Sequence, residues 1–219
     1  LEHELTHSER LASIGRLAAG VAHEIGNPVT GIACLAQNLH YDTDNPESLI
    51  TAKEILQQTD RISKIVQTLV NFAHSGNNQQ HEKTAVDIQL CAEEAIHLLS
   101  LNTEAKTIDF QNQCPNHSLA MGDQQRLQQI MVNLLSNARD ASPEYSTILV
   151  NAERQQGHIL LRVTDQGTGI SGEQQEQIFD PFFTTKEPGA GTGLGLSLVY
   201  SIVEDMEGSI NVESPVPPS

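Results

Sequence analysis

The chain has 219 residues, with 28 acidic and 12 basic side chains, which gives a formal net charge of −16 at pH 7. Binding to a nucleic acid backbone requires clustered Lys and Arg, so this charge balance argues against a nucleic-acid-binding protein. Hydrophobic residues make up 38% of the chain and aromatic residues only 4%, which predicts one or two domains with largely aliphatic cores.

The sequence carries no signal for a membrane or for export. It contains no run of 18 apolar residues and no signal-peptide pattern at its N-terminus, so we expect a cytoplasmic fragment without membrane contact, while the full-length protein could still carry an anchor elsewhere. Cys34, Cys91 and Cys114 are widely spaced and form no metal or CxxC motif. This pattern favours reduced thiols.

Two amphipathic helices are predicted in the first third of the chain. Apolar residues of the first helix recur in steps of three and four and resume beyond Pro28, as in a coiled-coil seam; they are Leu11, Ile14, Ala18, Val21, Ile25, Ile32, Leu35 and Leu39. A turn at 42–48 and a second helix complete a helical hairpin. Because a lone hairpin would leave apolar surface in water, we expect a homodimer that forms a four-helix bundle.

A polar, aperiodic stretch separates this hairpin from the rest of the chain. We predict a helical domain at 1–75, a linker at 76–83 and a second domain at 84–219. The pattern of the second domain predicts, in chain order, a short extended piece and a helix within 85–101, strands at 108–114 and 118–121, a helix at 123–141, an antiparallel hairpin around 148–152 and 159–163, a helix at 193–206 and a strand at 209–213. This mixture indicates an α+β sandwich with its helices on one face.

His23 is the candidate reactive residue of the first helix. It lies two residues past Val21, off the apolar seam, with Glu24 beside it and Asn27 one turn further on the same side. A solvated surface histidine is the ordinary interpretation of such a residue. A reactive role for His23 therefore depends on whether the second domain contains a matching site.

Two short motifs of the second domain carry polar groups suited to a nucleotide. In NLLSNARDA, Asn133 and Asn137 share one side of a helix, and amide oxygens are suitable ligands for Mg²⁺; two surface or capping asparagines are the alternative. In DQGTGI, Asp165 ends a strand and precedes Gly167 and Gly169, which allow a tight turn. Its carboxylate could accept a hydrogen bond from an exocyclic amine such as that of adenine, although Asp-x-Gly turns are also common.

Two further motifs follow. FDPFFTTK, at 179–186, holds three of the five phenylalanines of the chain, which indicates a hinged lid or a loop anchored in the core. Lys186 is then a candidate cation for phosphates. In GTGLG, three glycines (Gly191, Gly193 and Gly195) open a helix whose N–H groups can bind an anion. The spacing matches neither GxGxxG nor Walker A, which argues against a Rossmann or P-loop fold.

These motifs resemble those of a known family. LAAGVA followed by HEIGNP resembles the phosphoacceptor box of bacterial two-component sensor histidine kinases. The four later motifs, in this order, resemble the N, G1, F and G2 boxes of the histidine-kinase ATP-binding domain, a member of the gyrase, chaperone and mismatch-repair ATPase superfamily. The resemblance covers about 11–213, and the FDPFFTTK form is similar to the nitrogen-regulation-type subclass.

The resemblance implies a helical hairpin followed by an ATP-binding domain, with ATP and Mg²⁺ as cofactors. It places the metal at Asn137, helped by Asn133, and adenine at Asp165 with Gly167 and Gly169. The phosphates are expected at Lys186 and along the glycine run, at Gly191, Thr192, Gly193, Leu194 and Gly195.

For the phosphoacceptor helix, the resemblance makes His23 the nucleophile, with Glu24 as its proton partner. Asn27 matches the position that orients water for dephosphorylation of the partner, a response-regulator receiver domain with an acceptor Asp. Two alternatives remain: an ATPase of the same superfamily gated by nucleotide-driven dimerisation, and a non-catalytic signalling scaffold. The family also usually adds one strand after 209–213, whereas this sequence ends at Ser219.

Overall fold

The computed structural model describes residues 25–41, 45–75, 83–101, 106–186 and 191–214. The chain divides into two compact units, the first made of Leu1–Asn77 with Asp180–Leu194 and the second of Asn78–Phe179 with Gly195–Ser219. The segment 180–194, which contains most of the predicted lid, therefore groups with the helical part of the chain.

Two helices dominate the first unit, as predicted. Helix α1 is described over residues 25–41 and runs through Pro28, and helix α2 spans Pro46–Ser75. Proline at the first helical position needs no N–H, and the side chain of Asn45 accepts a hydrogen bond from the Glu47 N–H at 3.0 Å. These groups explain why the second helix starts where the turn-rich segment ends.

The two helices bury one stripe and expose another. On α1, Val29 and Ala36 are 6% and 3% exposed, while on α2 the buried positions are Ala52 and Thr59. Each pair is seven residues apart, the spacing of one face of a helix. The described members of the predicted seam are instead 37–71% exposed; these are Ile25, Ile32, Leu35 and Leu39. The seam is thus an apolar surface that the single chain leaves uncovered.

Among the described residues of the second unit, five strands form two small sheets. They are β1 Thr84–Asp87, β2 Asp109–Asn112, β3 Leu119–Gly122, β4 Thr147–Gln155 and β5 His158–Thr164. Strand β1 pairs antiparallel with β3, whereas β4 lies between a parallel β2 and an antiparallel β5. The predicted β4–β5 hairpin is confirmed, with Val150 opposite Val163.

Four helices are described in the second unit, and three of them begin at a capping residue. The four helices are α3 Ile88–Ser100, α4 Gln124–Ala141, α5 Gly172–Gln175 and α6 Gly195–Asp205. The carboxylates of Asp87 and Asp123 cap α3 and α4 by accepting hydrogen bonds from backbone N–H groups. At the other end of α4, Lys106 Nζ donates to the carbonyl oxygens of Asp140 and Ser142 at 2.9 and 3.0 Å. Both ends of α4 are therefore held by side chains, which fits the close agreement with its predicted bounds.

The core of the second unit lies between α4 and one face of the larger sheet. Five residues of the predicted stripe on α4 are buried, namely Leu127, Ile130, Met131, Leu135 and Ala138. Alternate residues of β4 are also buried, at Ile148, Val150 and Ala152. Helix α3 contacts β2 and β4, and α4 contacts β4 and β5. The predicted α+β sandwich with helices on one face is confirmed.

Helix α6 packs on α4 mainly through apolar burial. The Arg126 guanidinium and the Asp205 carboxylate form an ion pair at 3.0 Å between these helices, with Asp205 39% exposed. A partly exposed pair of this kind contributes about 0–1 kcal/mol. Burial of Leu198 or Ile202, each at most 2% exposed, contributes about 1.5–3 kcal/mol. The apolar contacts therefore dominate the attachment of α6.

The predicted strand at 209–213 is wrong. Residues 209–214 do alternate between exposed and half-buried positions, but the described residues form no backbone ladder with them. Alternation sets the faces of an extended segment, whereas a strand also needs a paired neighbour. The short α5 was not predicted, although Ser171 and Gln174 form a capping box there. None of the helices in the described part of the chain has the length and apolar character that crossing a bilayer requires.

Candidate functional site

Two asparagines of α4 face the first residue of α6. Asn133 and Asn137 are one turn apart and half-buried. A Cβ atom built on Gly195 would lie 3.1 Å from Asn133 Oδ1 and 3.6 Å from Asn137 Nδ2. The absence of a side chain at Gly195 thus lets the start of α6 approach both amides. The first N–H groups of a helix lack intrahelical partners and carry partial positive charge, so three of the predicted site residues meet at a surface suited to an anion.

The amides also fit a magnesium ion shared with phosphates. Asn133 Nδ2 donates to the Gln129 carbonyl at 2.9 Å, which turns Oδ1 away from that carbonyl. Mg²⁺ is usually held by one or two protein oxygens together with waters and substrate phosphates. Within the described ranges, no group of three or more His, Cys, Asp or Glu residues could hold a metal by itself. Two amide oxygens leave most positions of an octahedral Mg²⁺ ion to waters and phosphates, so this donor set fits an ion that arrives with a nucleotide.

The DQGTG loop is attached to the last turn of α4. Gly167 N–H donates to Asp165 Oδ1 at 2.7 Å. A Cβ atom on Gly167 would lie 2.9 Å from both Cβ and O of Ala141, so only glycine allows this approach. Asp165 is exposed, and its other oxygen accepts no hydrogen bond from the residues that the structure describes. Gly169, with φ of 78°, completes the turn. The carboxylate is thereby fixed one helical turn beyond Asn137 with one oxygen available to a ligand.

The predicted phosphate residues of the first unit contact one another. A Cβ atom on Gly191 would lie 2.9 Å from Thr184 Oγ1 and 3.0 Å from Lys186 Cδ. The Thr192 hydroxyl accepts a hydrogen bond from the N–H of the buried Leu194 at 3.3 Å. Lys186 and the glycine run are therefore neighbours.

Phe182 pairs with the next glycine of the run. Its N–H donates to the Gly193 carbonyl at 2.9 Å, and a Cβ atom on Gly193 would lie 2.4 Å from the carbonyl carbon of Phe182. Both residues adopt positive φ, 70° at Phe182 and 68° at Gly193. No sequence signal distinguishes Phe182 from its aromatic neighbours, so this contact could not be predicted.

Two cations near α4 have structural partners. Arg139, inside NARDA, donates from its guanidinium to the Leu99 carbonyl at 3.3 Å and is 12% exposed. Lys106 caps the end of α4, as described above. These contacts assign both side chains to the packing of the domain.

The residues predicted to form the phosphoacceptor site are only partly described. Asn27 is exposed on α1, whereas His23 and Glu24 lie outside the described residues. Ala141 also contacts the site, although it is not among the residues predicted from the sequence. The final Ala of NARDA gives a weak signal for it, since the contact with Gly167 requires a small side chain.

The site combines two amide side chains, a carboxylate positioned by a glycine turn, and a helix that begins at a glycine. These groups suit a ligand that has both phosphates and an exocyclic amine. The second unit is therefore defined as a nucleotide-binding domain of the ATPase type. One family model agrees with this class, and a second matches the helical part of the chain. Residues 122–217 match the histidine kinase-, DNA gyrase B- and HSP90-like ATPase family, and residues 13–78 match the His Kinase A (phospho-acceptor) domain. The chain belongs to the histidine kinases.

Curated relatives align with nearly the whole chain. It is 33% identical over 215 residues to the signal transduction histidine-protein kinase AtoS of Escherichia coli (strain K12), and 30% identical over 217 residues to sporulation kinase B of Bacillus subtilis (strain 168). These alignments cover 97% and 98% of this chain but 34% and 50% of the relatives. The chain thus spans half or less of the length of these two relatives.

Solved structures of histidine kinases are also similar to this chain. The catalytic domain of histidine kinase ThkA is 34% identical, with a TM-score of 0.51 over 57% of this chain and 81% of that one. ThkA in complex with the response regulator protein TrrA is 30% identical, with a TM-score of 0.63 over 94% of this chain and 59% of that one. Full-length ShkA in complex with AMPPNP is 25% identical, with a TM-score of 0.76 over 92% of this chain and 43% of that one.

Proposed function

We propose that this chain is the catalytic core of a two-component sensor histidine kinase. It binds ATP with Mg²⁺, phosphorylates itself on His23 and passes the phosphoryl group to an Asp of a response-regulator receiver domain. The observation that carries this proposal is the approach of Gly195 to Asn133 and Asn137 on α4. The ShkA complex with AMPPNP and the ThkA complex with TrrA support the nucleotide and the partner respectively.

In the nucleotide site, each residue has a defined task. Asp165 accepts a hydrogen bond from the exocyclic amine of adenine through its available oxygen. The amide oxygens of Asn137 and Asn133 would hold Mg²⁺, and the bound ion would neutralise charge on the phosphate oxygens. The N–H groups that follow Gly195 and the ammonium of Lys186 bind the phosphates. Positioning and charge neutralisation are the main requirements for phosphoryl transfer.

His23 attacks the γ-phosphorus of ATP through a ring nitrogen. An imidazole with an ordinary pKa of about 6.5 is mostly neutral at pH 7, so it is a competent nucleophile without strong activation. A nitrogen–phosphorus bond forms, the bond to the bridging oxygen breaks, and ADP leaves. Glu24 accepts a hydrogen bond from the other ring nitrogen and stabilises the positive charge that develops there.

Autophosphorylation tests this proposal. Incubation with γ-labelled ATP and Mg²⁺ is expected to give protein-bound label that is labile in acid and stable in alkali, as a phosphohistidine is. ATP hydrolysis without bound label would instead favour the superfamily ATPase gated by dimerisation. A protein that neither binds nor hydrolyses ATP would favour the signalling scaffold.

Asn27 is proposed to orient water for dephosphorylation of the regulator. Asn27→Ala is then expected to lower the rate at which phosphorylated receiver domain loses phosphate, with autophosphorylation retained. Asn38→Ala is the matched control, since Asn38 is an exposed asparagine of the same helix. Equal loss of both activities in Asn27→Ala would contradict the assignment.

The exposed apolar seam of α1 is proposed to form the homodimer interface. Leu35 is 71% exposed, so burial against a second copy removes apolar area from water, whereas a buried carboxylate there is costly. Leu35→Glu is expected to convert the dimer into a monomer, as measured by light scattering after size-exclusion chromatography.

Leu98→Glu is the control for this experiment. Leu98 is a leucine of α3 that is 52% exposed and outside the helical unit, so its substitution should leave the mass unchanged. A monomeric wild type, or a Leu35→Glu variant that remains dimeric, would refute the proposed interface.

A further inference from the structure

Phe182 combines a disfavoured backbone conformation with a close backbone contact. Five non-glycine residues among those described have positive φ, and Phe182 has the largest value, 70°. Bulky side chains rarely adopt this region because the Cβ atom crowds the adjacent carbonyl. A conformation of this kind persists only where surrounding contacts hold it.

The contacts that hold Phe182 come from Gly193. The Phe182 N–H donates to the Gly193 carbonyl at 2.9 Å. A Cβ atom on Gly193 would lie 2.4, 2.6 and 2.7 Å from C, O and Cα of Phe182, all backbone atoms that cannot move aside as a side chain could. The two residues therefore form a backbone pair that only glycine at 193 permits. We call it the 182–193 pair.

The ring of Phe182 is not what maintains this pair. Residue 182 is 55% exposed, and the hydrogen bond and close approaches described above involve only backbone atoms of Phe182. Two residues after Gly193 the chain reaches Gly195, which approaches Asn133 and Asn137 within the second unit. Only Leu194 lies between Gly193 and Gly195, the first residue of α6.

We propose that Phe182 is a positioning residue that acts through its left-handed backbone conformation, which holds Gly193 and so fixes the glycine run leading into Gly195. This inference rests on the proposed function of that run in ATP binding. A residue at position 182 that readily adopts positive φ should preserve ATP binding, and a residue there that resists positive φ should weaken it. The identity of the side chain matters only through this preference.

A series of substitutions at residue 182 distinguishes an effect of the backbone conformation from an effect of the aromatic ring. Glycine and asparagine adopt positive φ, whereas β-branched valine resists it. Phe182→Gly and Phe182→Asn are expected to keep KM for ATP within about twofold of the wild type, while Phe182→Val raises it about 5- to 30-fold with little change in kcat. Amide hydrogen exchange at residue 182 should be slow in the wild type and in the Asn variant and fast in the Val variant.

Tyr145→Val is the matched control. Tyr145 is also an exposed aromatic residue with positive φ, 64°, but it lies in the turn before β4. Its replacement is expected to lower thermal stability and to leave KM for ATP unchanged.

Three results would overturn the inference. Equal increases of KM in the Gly, Asn and Val variants, with a normal Phe182→Tyr, would assign the effect to the ring. A Val variant with wild-type KM would remove any positioning role, and fast exchange at residue 182 in the wild type would remove the pair itself. Failure of the proposed function is separate: the wild type would then bind no ATP, whatever the exchange at residue 182 showed.

Discussion

His23→Gln is expected to abolish the acid-labile phosphate label while ATP affinity stays within about twofold of the wild type. Glutamine keeps a polar side chain of similar size but has no basic nitrogen that can attack phosphorus. The proposed ATP site lies elsewhere in the sequence, so the loss should be confined to transfer. The measurements are label incorporation with γ-labelled ATP and titration calorimetry with a non-hydrolysable analogue.

His40→Gln controls for a general effect of losing a histidine from the first unit. His40 is exposed at the end of α1 and contacts the ring of Tyr41. Its substitution should leave labelling intact. Label that persists in His23→Gln would show that another residue accepts the phosphoryl group.

Asn137→Ala is expected to weaken Mg²⁺-dependent ATP binding by about 100-fold or more. Loss of a group that merely orients a metal ligand costs about 10–100-fold in metal affinity, and here the ligand itself is removed. Because the residue is only half-buried and the helix favours Ala, the fold should survive. Calorimetry with and without Mg²⁺ measures the effect.

A control variant and a second site variant test whether the effect is specific to the proposed metal site. Asn151→Ala removes an exposed asparagine of β4 and should not change ATP affinity. Gly195→Val introduces a branched side chain where even a Cβ atom lies 3.1 Å from Asn133 Oδ1, so it should weaken binding without removing any ligand. Unchanged affinity in both Asn137→Ala and Gly195→Val would contradict the proposed metal site.

Local sequence signals were sufficient for much of the fold. Helix α4 could be bounded closely because Asp123 caps its start and one apolar stripe runs along its length. The β4–β5 hairpin followed from two alternating segments separated by a Gly-containing turn. The residues at 209–213 show the limit of such signals, since alternation there does not specify a pairing partner.

The candidate site was predictable in its residue types but not in its contacts. Paired amides and glycine turns identified Asn137, Gly167 and Gly195 as candidates. The approach of Gly167 to Ala141 depends on how a loop packs on the end of α4, which no local pattern encodes. The backbone conformation of Phe182 likewise results from packing, because the intrinsic preference of phenylalanine opposes it.

The three cysteines differ in their access to solvent. Cys91 and Cys114 are buried while Cys34 is exposed on α1. Burial and the nearby charge of Glu94 raise the pKa of Cys91 to about 11, and burial raises the pKa of Cys114 above its usual value. Since the thiolate is the reactive form, a maleimide probe should attach at Cys34 far faster than at either buried thiol. The native protein thus provides a single spectroscopic position on α1, from which distances across the proposed dimer could be measured without any engineered cysteine.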